Sequence, residues 1–154
     1  MLNAAAVQQA QQQMLAQYQR VQAETASPGQ LVVMMYEGCV RFIVRARTAL
    51  AAQDFDTARV SLLRAQDIIA ELIGSLNLEA GDVAANLLRL YEYMHRRLVV
   101  ANIRRDDAAA AEVEGLLRSL LPAWQEAVRQ NAQARGAGSP TPPSTPRVVL
   151  SAAG

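Results

Sequence analysis

Lysine is missing from this chain: all 15 basic residues are arginine. Genome composition accounts for that bias, and its chemical consequence is a modest loss of lysine-based chemistry. Cysteine occurs once, as Cys39, so no internal disulfide can form, and a reducing cytosol fits. Beside Gly38 and Phe42 on a helix, Cys39 reads as a small buried core residue rather than a nucleophile. Histidine also occurs once. His95 follows Glu92 by three places, one copy of the Glu-x-x-His pattern. A two-metal site inside a helical bundle needs that pattern twice, with two further glutamates. The neighbouring Arg96 and Arg97 would also repel a cation, so no metal is expected. A single histidine suggests no Ser–His–Asp arrangement, and the eight glycines are scattered rather than gathered in a phosphate loop. These absences argue against an enzyme and against a bound cofactor.

Long apolar runs are missing too, so no segment reads as a membrane span. The first residues lack the basic start and apolar run of a secretory signal. The formal net charge of +1 provides no strong field toward nucleic acid or an anionic membrane. The arginine pairs 96–97 and 104–105 have carboxylates nearby and no aromatic ladder, which reads as a solvated face.

What is present is helical pattern. Apolar residues make up 51% of 154 residues, enough for one compact domain. Ser27, Pro28 and Gln30 spell a helix start: the serine oxygen and the Gln30 side chain can serve each other's free N–H groups, and proline sits where none is needed. Helix 1 is expected from about Pro28 to Ala52, with a stripe of Leu31, Met35, Gly38, Phe42 and Ala49 and a Glu37–Arg41 pair. Asp54 caps a second helix, about Phe55 to Leu78, which is apolar on two sides. One side is Ala58, Leu62, Ala65, Ile69, Leu72 and Leu76; the other is Val60, Leu63, Ile68 and Ile73. Gly81 marks a turn, and Asp82 is expected to cap a third helix, Val83 to Ile103, striped by Leu87, Leu90, Tyr91, Met94 and Leu98, with Glu92 and Arg96 paired on its wet side. A fourth helix starts near Asp106–Asp107 and carries Val113, Leu117 and Trp124, with a kink or break near 118–121 because of Pro122.

Residues 1–24, rich in Ala and Gln, read as an arm on which Val7, Met14 and Tyr18 share a face. Two readings stay open for residues 1–13: an arm that turns helical on docking, and a disordered leader of no consequence. Residues 25–134 form the bundle, and 135–154, rich in Pro, Ser and Gly, form a flexible tail ending in Val148–Leu150. Four helices of similar length with short connections predict an all-α, antiparallel, up-and-down four-helix bundle. Helix 2 and the doublets Leu87–Leu88, Val99–Val100 and Leu120–Leu121 hold more apolar surface than one interior can take. Contiguous surplus of this kind marks a groove for an amphipathic helix.

Particular residues add a resemblance. Tyr18, Thr25-Ala26-Ser27-Pro28, Leu31, Met34-Met35-Tyr36-Glu37-Gly38, Ala65-Gln66, Ile68-Ile69, Glu71-Leu72, Asn86-Leu87, Leu90-Tyr91, Met94, Leu98, Ala101-Asn102 and Trp124 together resemble the flagellin-specific export chaperone family, FliS, over about residues 18–130. The sequence departs from the family's pattern at Met35, Glu37 and Pro122. The resemblance implies a cytosolic bundle that binds the C-terminal segment of flagellin, prevents premature polymerisation and delivers it to the flagellar export gate. It also implies that Tyr18 lies near the binding surface. With it, Leu62, Ile69, Leu72, Ile73, Leu87 and Leu98 are the expected groove residues, chosen for their excess over a single stripe, and the Val7–Tyr18 arm is expected to occupy part of the groove when flagellin is absent. A competing expectation is a dimerising regulator that uses the same apolar faces on itself, which leaves a homodimer of the free protein open.

Overall fold

The computed structural model describes residues 4–6, 8–13 and 27–136. Its four long helices are α1 (Pro28–Ala51), α2 (Phe55–Ser75), α3 (Asp82–Arg104) and α4 (Asp107–Gly136), with a short 3-10 turn at Leu78–Ala80. Each helix packs on its neighbours in chain order, and α4 closes on α1. The result is the expected antiparallel up-and-down bundle.

The local chemistry explains each start and stop. Ser27 accepts from the Gln30 N–H at 3.3 Å, and the Ser27 N–H donates to Gln30 Oε1 at 3.0 Å, a complete capping box. The turns after α1 and after α3 share one design. Gln53 (φ 59°) and Arg105 (φ 53°) take left-handed backbone. The next residue's N–H then reaches back, Asp54 to the Ala49 carbonyl at 2.8 Å and Asp106 to the Ala101 carbonyl at 3.0 Å. Those aspartates cap the following helix, accepting from the N–H of Thr57 and of Ala109 at 3.2 Å each. Both turns lie at the same end of the bundle, where the Arg105 guanidinium sits 3.7 Å from the centre of the Phe55 ring.

The middle connection departs from expectation. α2 ends at Ser75 rather than Leu78, and Gly81, at φ 102°, precedes α3. Asp82 is therefore the first helical residue rather than the cap, and it faces the helix dipole from the first turn. α4 runs unbroken through Pro122 to Gly136, two residues beyond the expected boundary. Pro122 is exposed, so the Arg118 carbonyl that loses its N–H partner lies on a stretch open to water.

The core row of α1 is Val32, Tyr36, Cys39, Val40, Ile43 and Ala46. This corrects the expected stripe, of which Ala49 is buried while Leu31, Met35, Gly38 and Phe42 are half-buried. Two apolar rows one residue apart run along this helix, and the row bearing Tyr36 is the one aimed inward. Tyr36 meets the Tyr91 hydroxyl at 2.6 Å and packs on Trp124 with ring centres 6.1 Å apart, so three helices join through one aromatic cluster. Burial pushes the Tyr36 hydroxyl up to about 12 and keeps it protonated. Cys39 donates to the Ala65 carbonyl at 3.6 Å, and burial pushes its thiol up to about 12, so it is the inert core residue expected.

Residues 4–6 and 8–13 are helical with mostly exposed side chains. Helix there was expected only on docking; alanine and glutamine are both good helix formers, which explains it in the isolated chain. Val7, Met14, Tyr18 and the tail beyond residue 136 lie outside the described residues.

Candidate partner-binding surface

The expected groove residues separate. Leu62, Ile69, Leu72, Leu87 and Leu98 are all buried in the core, packed on the other helices. They are therefore structural and present no surface; only Ile73 is half-buried at the edge. Excess over one stripe singled out large aliphatics without separating the rows, and those on the inward rows are buried while Leu63, Leu88 and Ile103, equally large, are not. Tyr18 lies outside the described residues.

The surplus is elsewhere, and the structure brings it together. On α2, Leu63, Gln66, Ala70 and Ile73 share one helical face, continued outward by Val60. On α3, Leu88, His95, Val99 and Ile103 share another. Gln66 Nε2 donates to the Leu98 carbonyl at 3.4 Å, so both faces border the same outer seam between α2 and α3. Along it Val60 is 45%, Leu63 41% and Ile103 77% exposed, while Ile73, Leu88 and Val99 are half-buried. Arg105 stacked on Phe55 closes one end. The signal was legible: 88, 95, 99 and 103 keep helical spacing and are displaced from the core row of 87, 91, 94 and 98.

An apolar seam between two helices offers a bed for a third amphipathic helix, the arrangement by which bundle surfaces take helical partners. Among the described residues no cluster of His, Cys, Asp or Glu could hold a metal. His95 is half-buried on the α3 face of the seam.

A concavity of about 710 Å3 opens at the turn end, lined by Val44, Arg47, Phe55, Arg105, Asp107 and Arg118 among others. Its charges satisfy one another. Arg47 donates to Asp107 at 2.8 Å and to Glu114 at 2.9 Å, and Arg118 donates to Glu114 at 2.8 Å. Burial pushes the Glu114 carboxyl up, but Arg118 and Arg47 outweigh it and hold the group below its ordinary value. On the next seam Glu112 accepts from the Tyr93 hydroxyl at 2.6 Å and from Arg97 at 2.8 Å, bridging α3 to α4. The expected Glu37–Arg41 and Glu92–Arg96 pairs are not among the ion pairs of the described residues; Arg97 makes the cross-helix pair instead.

Among the described residues no helix is long and apolar enough to cross a membrane. A family model described as flagellar protein FliS matches residues 10–131. A flagellar secretion chaperone FliS of Bacillus subtilis is 39% identical over 118 residues, covering 77% of this chain and 88% of the relative. The protein of the same name from Salmonella typhimurium is 42% identical over 104 residues, 66% of this chain and 77% of its own length. That of Escherichia coli is 41% identical over 106 residues, 68% and 78% respectively.

Proposed function

The chain belongs to the FliS family of flagellar secretion chaperones, a non-enzymatic family, and from that premise we propose that it is a cytosolic holdase for the C-terminal segment of flagellin. It covers the segment, keeps flagellin from polymerising early and presents it to the flagellar export gate. The observation that carries this reading is the exposed apolar seam of Val60, Leu63, Ile73, Leu88, Val99 and Ile103 between α2 and α3.

The physics suits a guest that must later leave. Filament subunits join through amphipathic terminal helices, and covering one removes the surface they assemble with. A segment that is disordered when free folds as it binds, so it wraps a large area while its ordering offsets much of the gain. About 1,000 Å2 of apolar contact contributes ~25 kcal/mol before the costs of association and ordering, which remove most of it. No nucleotide chemistry is required. In this proposal the Val7–Tyr18 arm shelters part of the seam until flagellin arrives.

Titration with a peptide from the flagellin C-terminus, followed by circular dichroism, tests the reading. Saturable binding with a gain of helix is the expected result; no binding, or binding unaffected by Leu63→Glu, overturns it. Tyr18→Ala is expected to weaken the complex with Tm nearly unchanged. A large loss of stability at normal affinity would remove Tyr18 from the binding surface.

A further inference from the structure

The α2–α3 seam is aliphatic at both ends and polar at its middle. Its α3 face bears Leu88, His95, Val99 and Ile103, and its α2 face Leu63, Gln66, Ala70 and Ile73, so each helix sets one polar side chain among apolar ones. Gln66 Nε2 donates to the Leu98 carbonyl at 3.4 Å, which puts the two polar residues about one helical turn apart along the seam. Counting from that contact along the antiparallel pair, His95 comes about level with Ala70, the smallest side chain of the α2 row. His95 and Gln66 are both half-buried. Among the described residues the imidazole joins no hydrogen bond or ion pair, and Gln66 Oε1 has no donor.

A guest helix lying in the seam covers both groups. Covering them with aliphatic side chains strips their water and returns nothing, a loss of roughly tenfold to a hundredfold in affinity. A guest carboxylate fits poorly, because it would be buried against one imidazole with no second cation beside it. On α2, Gln66, Ala70 and Ile73 are uncharged, Asp67 and Glu71 stand on the side toward α1, and Arg59 lies two turns further along. On α3 the neighbours Glu92 and Arg96 are exposed, opposite in sign and at the outer rim. A primary carboxamide fits both groups at once. Its oxygen accepts from an imidazole N–H, and its own N–H donates to Gln66 Oε1.

We propose that His95, with Gln66, sets the register of the guest by taking one Asn or Gln side chain from the inner face of the guest's helix. This rests on the seam being the flagellin site, and it names what that site reads. In a wholly apolar strip one aliphatic contact resembles the next, and a single polar residue in such a strip fixes alignment at some expense of affinity. A guest displaced by one turn would set an aliphatic group on His95 and bury its own amide without a partner. Acid weakens the arrangement. A protonated imidazole must be covered as a cation, and α2 places no carboxylate opposite it among the described residues. Between about pH 7.5 and about pH 5.5 an imidazole passes from mostly neutral to mostly charged, so the guest binds on the order of tenfold more weakly at the lower pH.

Calorimetric titration of the full chain with the flagellin C-terminal peptide is the test, with His95→Leu and His95→Gln beside wild type. His95→Leu lengthens the apolar strip, yet it should bind the peptide at least about tenfold more weakly. His95→Gln keeps a donor and cannot charge, so it should stay within about threefold of wild type near pH 7.5 and bind equally well in acid. Replacing each Asn and Gln of the peptide by Leu in turn should find one position where the loss seen with wild type becomes a gain with His95→Leu. If His95→Leu fails to fold, as judged by circular dichroism, the pH profile of His95→Gln against wild type decides. A His95→Leu variant that binds as tightly as wild type, an acid response shared by His95→Gln, or a scan in which no amide is coupled to residue 95 overturns the proposal and leaves the seam as the guest's site. A peptide that does not bind wild type overturns both.

Discussion

The α4 flank and the outer α1–α2 face contain similar numbers of carboxylates and use them in opposite ways. On α4, Asp107, Glu112, Glu114 and Glu126 each hold an arginine. Three of those partnerships reach across to another helix, two to α1 and one, Arg97 with Glu112, across the thinnest of the four helix interfaces, α3 against α4. On the α1–α2 face, where the two helices pack most extensively, Glu37, Asp67 and Glu71 hold none among the described residues. Charge is spent inside the molecule where it helps position a helix, and left available where burial already fixes the pair. A surface ion pair contributes little to folding, so leaving three unmade costs little stability.

The strongest way to break the α4 side is to remove the aromatic side chain that anchors it. Trp124→Ala is expected to lose about 3–5 kcal/mol in urea unfolding, because the cavity it leaves lies against Tyr36 in the centre of the core. Next comes a charge in the seam. Leu63→Glu or Val60→Asp should change stability by no more than about 0.5 kcal/mol, both positions being exposed, while weakening the flagellin peptide at least about tenfold in calorimetric titration.

A smaller effect is expected from Arg47→Ala, which removes two cross-helix partnerships and leaves Glu114, 14% exposed at its side chain, to Arg118 alone. About 1 kcal/mol should be lost at pH 7. Glu114 is held below its ordinary value of 4.5 in the folded chain. Its stabilisation is therefore complete above the unfolded value and disappears as pH falls through the folded one, so wild type and variant should converge in acid when unfolding is followed against pH. The smallest effect sharpens the other side. Glu71→Gln removes the like charge beside Asp67 and should raise stability by a few tenths of a kcal/mol, where deletion of an α4 carboxylate lowers it.

Much of this architecture could be read before any coordinates. Ser27, Pro28 and Gln30 announced the first helix because capping is a local matter, decided by three side chains and the backbone within reach. Asp54 announced the second for the same reason. Helix facing was harder. Rows one residue apart on α1 are rotated by only about 100°, and both are apolar, so the choice between Met35 and Tyr36 belongs to tertiary packing. The partner surface failed at the same step: Leu62 and Val60 are alike in character, and only the position of α3 decides that one is sealed and the other open. Of the kink or break expected at Pro122, the break is absent: α4 continues through it on an exposed stretch, where water can serve the carbonyl that proline leaves without a donor.

Cys39 has a practical consequence. Its sulfur is sealed among α1 and α2 and its proton is held firmly, so alkylating reagents should pass it by while the fold is intact. A cysteine engineered at Met34 or Ile103 would then be the sole reactive handle on the native molecule. A dye or spin label at Ile103 would stand on the α2–α3 seam and one at Met34 away from it as a control, with no need to alter the natural thiol first.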